Sequence, residues 1–152
     1  IPAISGMMIG AFISGRLAGK LSARATVRLG YAIMLGASAL NLGIAFLLPE
    51  PKVPWSVLPV GLHAIGIGIN FPTLTLLLLD RFPLNRGAMS SVQAFVILVI
   101  SATLAGAISP LVSGSAMSLA LTAATATTLG FASWRLYRRI ENREARMVAQ
   151  AA

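Results

Sequence analysis

The feature that most constrains this chain is its division into apolar runs of about twenty residues. That is the length at which an α-helix crosses a hydrocarbon core of roughly 30 Å. Within lipid, every backbone N–H and C=O must find its partner inside the protein, so a spanning segment is either a helix or a strand of a closed barrel. The alternation of apolar and polar residues that barrel strands carry is not found here. The expected fold is all-α and transmembrane: a helical bundle. Composition agrees, since 57% of the 152 residues are hydrophobic and only 11% are charged. That leaves too little polar surface to keep a domain of this size in water.

Five apolar segments can be marked, at 2–14, 28–48, 55–79, 87–109 and 114–134. The first is too short to cross and reads as the surviving end of a longer helix. The chain opens on Ile1, already inside that run, with no targeting segment, so the expected source is a longer protein whose earlier part is missing. Residues 135–152 form a basic tail able to continue as an interfacial helix, with Arg138 and Glu141 one turn apart.

The formal net charge is +8, which raises the question of nucleic acid. Placement answers it: apart from Lys52, the twelve Lys and Arg residues fall in three clusters at the ends of apolar runs. No basic stripe or aromatic platform for a nucleic acid is present. If every segment crosses once, all three clusters share one side, which the positive-inside rule makes the cytoplasm. The connection 15–27, the connection 80–86 and the C-terminal tail are expected there, with 49–54 and 110–113 on the opposite side. Trp55, Trp134 and Tyr137 read as anchors in the headgroup zone.

Chemistry-bearing residues are few. Cysteine is absent, no acid lies within a span, and there is no nucleophile–base pair, metal-ligand cluster or phosphate loop. An enzymatic role, a cofactor and a metal all lack support. Small residues recur every four positions instead: Gly6, Gly10 and Ser14; Ala32 and Gly36; Ala102 and Gly106; Ala120, Ala124 and Thr128. Such stripes let helix backbones approach closely where lipid supplies no hydrophobic drive. Ser101, Thr103, Thr122, Thr125, Thr127 and Thr128 are expected to return their hydroxyls to the helix backbone.

The third segment departs from this pattern with Gly61-Leu62-His63-Ala64-Ile65-Gly66-Ile67-Gly68-Ile69-Asn70-Phe71-Pro72. Pro72 cannot donate to the Gly68 carbonyl and crowds that turn, which predicts a kink. At 100° per residue His63 and Asn70 share one face, while Gly61 and Gly68 lie opposite. Spans interrupted by Gly and Pro point to a carrier's binding region, making His63 and Asn70 candidates for a substrate path, with Gln93 of the fourth segment as a third. The structural alternative has His63 and Asn70 bonding to neighbouring backbone, and Asn41 in a packing hydrogen bond; both readings stay open at this point. His63 is the one intramembrane group able to carry a proton.

Three stretches resemble the major facilitator superfamily, in particular its drug-efflux members of the Bcr/CflA type. Gly15-Arg16-Leu17-Ala18-Gly19-Lys20-Leu21-Ser22-Ala23-Arg24 is similar to the second-half copy of the family's signature loop, with Gly15, Ala18, Lys20 and Arg24 at motif positions. Gly19 stands where that loop usually has an acid, and Ser22 where it usually has Gly. Asp80–Ser91, with Arg86 and Gly87, resembles the loop entering the eleventh span; the third stretch is the Gly-rich segment ending in Asn70-Phe71-Pro72. The resemblance implies the C-terminal part of a twelve-span carrier in a bacterial cytoplasmic membrane, exporting drugs or small amphipathic molecules in exchange for protons. The N-terminal half of the same chain would be its partner. The alternatives are a carrier of the same superfamily for a sugar or organic acid, and a non-transporting membrane partner subunit.

Overall fold

The computed structural model describes residues 2–47 and 57–151. Among these residues there is no strand, only a single bridge between Ala18 and Leu21. The helices are α1 (Pro2–Leu17), α2 (Ala23–Leu47), α3 (Val57–Arg81), α4 (Arg86–Thr103), α5 (Ser109–Val112) and α6 (Ala116–Ala151). Pro83–Asn85 forms a 3-10 turn leading into α4, and Leu104–Ile108 a π-helical turn joining α4 to α5. Four helical stretches are long and apolar enough to cross a membrane: 23–47, 57–81, 83–112 and 116–147. These are the helices of an integral membrane protein. The expected connection at 49–54, with Glu50 and Lys52, and the expected anchor Trp55 lie outside the described residues.

The elements begin and end for local reasons. Gly19 has φ +82°, a left-handed conformation that glycine adopts without a Cβ penalty. There the chain leaves α1, with the Lys20 and Leu21 amides both returning to the Leu17 carbonyl. Ser22 then caps α2, its hydroxyl accepting from the Ala25 N–H at 3.2 Å. Gly19 and Ser22 thus both serve the turn itself. Because Ser22 starts the helix, Arg24 and Arg28 sit inside α2, and the expected connection at 15–27 shrinks to 18–22.

Pro110 was expected to end the fourth span, but the helical path runs on to Val112. Pro110 has no N–H to offer, and the widened π turn immediately before it is where the helix absorbs that loss. The turn then falls at 113–115, where Ser115 caps α6 by accepting from the Ser118 N–H (3.1 Å) and Ser118 Oγ donates to the Val112 carbonyl (2.6 Å). α3 likewise passes through Pro72 without interruption. α6 shows no break at the expected boundary at 134; its 36 residues extend about 54 Å.

α3 is the centre of the arrangement. α1 lies along one side and α2 along the other, with α6 beyond α2. The stripe Gly6, Gly10 and Ser14 is buried as expected. A Cβ on Gly6 would meet the Gly61 carbonyl oxygen at 2.5 Å, and one on Gly10 would run into the Ile65 carbonyl. Gly68 answers from α3, standing against the backbone of Met7, Gly10 and Ala11. Ser14 seals this seam by donating to the Ile69 carbonyl at 3.3 Å, beside the Thr73 hydroxyl at 3.4 Å. The other expected stripes divide. Ala120 is fully buried, yet a Cβ on Gly36 or Gly106 would meet nothing within 4 Å. Four-residue spacing marks a face suited to close approach without saying whether a helix occupies it.

The threonines behave as expected, with Thr103, Thr122, Thr125, Thr127 and Thr128 all donating to carbonyls three or four residues back. At the basic end, Arg24 pairs with Glu141 (3.4 Å), Arg81 with Glu144 (2.9 Å) and Arg86 with Asp80 (3.0 Å). The first two pairs bring the start of α2, the end of α3 and the tail of α6 to one end of the bundle, so the three charge clusters do lie together. Arg138 and Glu141 pair at 3.9 Å. Trp134 differs from the anchor expected of it. Only 8% exposed, it stacks on Tyr137 at 5.7 Å and is covered among α2, α3 and α6.

Candidate functional site

The face of α3 opposite its seam with α1 carries His63, Gly66 and Asn70, and all three are directed at α2. At Gly66 the two helices touch almost without side chains, since a Cβ there would strike Met34 and stand 2.8 Å from the Gly30 carbonyl. Asn70 is 5% exposed. With its amide oriented to satisfy both atoms, the nitrogen donates to the Val27 carbonyl (3.1 Å) and the oxygen accepts from the Tyr31 N–H (3.3 Å). Val27 and Tyr31 are one helical turn apart on α2, so the Asn70 amide doubles a backbone hydrogen bond of the neighbouring helix. Gly30 provides the room, because any Cβ there would occupy the space of that amide. At this level the polar face of α3 is a closed clasp.

Two turns of chain closer to the start of α3 the same interface opens. A cavity of about 260 Å³ lies where α1, α2, α3 and α6 meet, and His63, Asn41 and Ser38 are its polar lining. Met7, Val60, Ile67 and Ala123 are among its apolar walls. His63 stands six residues into α3 and Asn41 six residues before the end of α2. Each is therefore about 9 Å from the helix end opposite the arginine clusters, and they share one depth. The His63 ring lies close to the Met34 backbone of α2. The Ser38 hydroxyl is buried and has no hydrogen-bond partner among the described residues. A buried unsatisfied hydroxyl costs about 1–3 kcal/mol, unless a water or ligand in the cavity supplies the bond. Asn70 is not among the residues that line this space.

Gln93 lies elsewhere. Its Nε2 donates to the Thr75 hydroxyl at 2.8 Å, a bond from α4 to α3 at the edge of an apolar groove of about 430 Å³ that Phe71, Leu74 and Val96 also line. The sequence candidates thus separate into three places: a cavity at His63, a clasp at Asn70 and a groove at Gln93. Gly68 and Pro72 fall on the α1 side of α3. Of the loop-motif residues, Gly15 and Ala18 border a cavity with Pro72 and Thr73, Lys20 is exposed, and Gly87 has open space around it. Arg24 and Arg86 hold the ion pairs described above.

Ser38 and Thr75 belong to these sites without having stood out in the sequence. Ser38 was open to detection, because Ser38 and Asn41 are three residues apart and so share a helix face. Thr75 carried no signal of its own. Among the described residues no group of three or more His, Asp or Glu side chains is placed to hold a metal ion. What the cavity offers is apolar surface, an imidazole, an amide and a free hydroxyl: the chemistry for holding a small amphipathic molecule or water, and for taking up a proton at one position. Comparisons with protein-family models, with curated proteins and with solved structures found no match to this chain.

Proposed function

We propose that this chain is the C-terminal part of a secondary active carrier of the major facilitator type, exporting small amphipathic molecules such as drugs in exchange for protons. In this reading the cavity at His63, Asn41 and Ser38 belongs to the transport path and His63 carries the proton. The observation behind it is that three polar side chains from two helices surround one space within the span, and one of them, Ser38, has no hydrogen-bond partner among the described residues. Polar groups are costly in lipid and are found where they face a cavity, a path or one another. Alternating access requires a second bundle across the site, and the N-terminal half of the same chain would supply it. The exposed face of α4, with Phe95 and Leu98 each 67% exposed, is available to such a partner. The basic end would face the cytoplasm of a bacterial cell.

Extrusion of a lipophilic cation by energised cells tests this reading. The full-length protein in an efflux-deficient bacterial strain is expected to extrude ethidium, to stop when an uncoupler collapses the proton gradient, and to lose coupling in His63→Ala. Absence of export by the full-length protein across a panel of amphipathic compounds would leave the subunit alternative standing.

A further inference from the structure

Between α2 and the cytoplasm-proximal part of α6 lies a second cavity, of about 350 Å³, whose lining is polar and basic. Arg28 enters it from α2. Arg135, Arg138, Arg139 and Asn142 enter from α6, and Phe131 and Trp134 form its floor. The α6 residues 131, 135, 138, 139 and 142 are spaced so as to share one helix face. Arg135 is set over the Phe131 ring, with its guanidinium carbon 5.6 Å from the ring centroid.

The charges of this cavity are not balanced from within the protein. Its one neighbouring carboxylate, Glu141, is divided between Arg24 at 3.4 Å and Arg138 Nε at 3.9 Å. Among the described residues no carboxylate lies within 4 Å of Arg28, Arg135 or Arg139. Arg138 Nη1 is buried and has no hydrogen-bond partner among the described residues. Several guanidinium groups held side by side, one with a buried donor unmet, form a site for an anion with several oxygens. The planar fork of Arg matches phosphate oxygens in pairs.

The surroundings point to a lipid. Arg28, Ala32 and Gly36 follow one another at four-residue spacing on α2, so the basic cavity continues toward the middle of the span as a strip of small residues. Ala32 and Gly36 are exposed, and a Cβ on Gly36 would meet nothing within 4 Å. A headgroup phosphate in the cavity would place an acyl chain along that strip. We propose that the pocket formed by Arg28, Arg135, Arg138 and Arg139 binds the phosphate headgroup of an anionic phospholipid. Basic pockets between spanning helices at the membrane surface are a known means of holding such headgroups.

Trp134, at the pocket floor, reports on occupancy. In a Trp55→Phe background the chain is reconstituted into phosphatidylcholine bilayers, and Trp134 fluorescence is titrated with brominated phosphatidylglycerol or brominated phosphatidylcholine. Preferential quenching by the anionic lipid is expected, falling about fivefold for each guanidinium removed in Arg28→Gln and Arg139→Gln. Arg143→Gln with Arg146→Gln, which removes the same charge outside the pocket, is expected to leave the preference intact. Helical circular dichroism confirms that each variant is folded. Equal quenching by the two lipids overturns the proposal, as does an equal loss in the Arg143/Arg146 variant, which would mean general attraction to a basic tail. Displacement of the lipid by millimolar inorganic phosphate would assign the site to the free anion and overturn it as a lipid site.

Discussion

Replacing Gly30 by alanine separates packing from function at the polar face of α3. A Cβ at position 30 falls on the oxygen, carbon and nitrogen of the Asn70 amide, an obstacle with little freedom to move. Overpacking of this kind costs about 1–3 kcal/mol, offset by up to about 1 kcal/mol from alanine's better helix propensity. Asn70→Ala alone removes two interhelical hydrogen bonds to Val27 and Tyr31. At the roughly 0.6–1.7 kcal/mol measured for each such bond in lipid, it should cost about 1–3 kcal/mol.

The two changes are not independent. Once Asn70 is alanine, the amide that Gly30 makes room for is gone, and Gly30→Ala becomes neutral or mildly stabilising. The double variant is expected to be more stable than the sum of the single changes by about 1–3 kcal/mol, the coupling expected of residues in direct contact. Reversible unfolding in mixed micelles titrated with sodium dodecyl sulfate, followed by tryptophan fluorescence, measures all four corners of the cycle. Additivity within about 0.5 kcal/mol would refute the clasp and return Asn70 to the list of groups free to face a path.

Gly10→Leu and Gly68→Leu should each cost about 3 kcal/mol or more, since the atoms they meet are backbone of the opposite helix. Gly36→Leu and Gly106→Leu, which meet nothing, should leave the yield of monodisperse protein in gel filtration unchanged. Because the chain has no cysteine, topology can be read with single introduced thiols: an impermeant reagent should label Lys20→Cys and Arg143→Cys from one side and Ser113→Cys from the other. Labelling of all three from one side would break the arrangement of spans. Amide hydrogen exchange should be faster in α4 than in α3, because α4 has no buried residue and such segments open at low cost; equal protection would contradict this.

Spans and charge clusters were legible because they depend on local properties, namely apolar length and the position of arginine. Helix ends were less so. The apolar pattern of the second span stops at Arg28, whereas the helix starts five residues earlier at Ala23. An arginine at a membrane surface leaves the hydrocarbon without leaving the helix, and the same holds for the charged extension of α6. Ser22 was the available signal, as a capping residue immediately before the helix. The α1 stripe was legible and correctly assigned to an interface. Neither the pairing of Gly30 with Asn70 nor that of Gly66 with Met34 could be read, because each needs to know that α2 and α3 are neighbours and in what register. The cavity at His63 depends on four helices at once, and no local pattern encodes that.

The two faces of α3 explain how a single helix can be both rigid and polar. Toward α1 it presents Gly68 and the seam of Ser14, Thr73 and Ile69; toward α2 it presents Gly66 and the Asn70 clasp. Contact on both sides is close to backbone on backbone. Apart from Met34 against Gly66, the atoms in contact at these glycines are backbone or the hydrogen-bonded Asn70 amide, so α1, α2 and α3 form one unit at this level. His63 sits on the same helix face two turns from Asn70, and the clasp fixes its direction toward α2 as well. The polar groups of the cavity are thereby held in place by packing that lies outside the cavity. α4 has no comparable support. It reaches α3 through the Gln93–Thr75 bond, the exposed Arg86–Asp80 ion pair and an apolar edge, and beyond Thr103 it runs into the π turn and Pro110. A carrier needs a fixed site and an element able to move beside it. On the reading proposed above, α1–α3 would supply the fixed site and α4 the element able to move beside it, because displacing α4 separates no glycine-lined backbones.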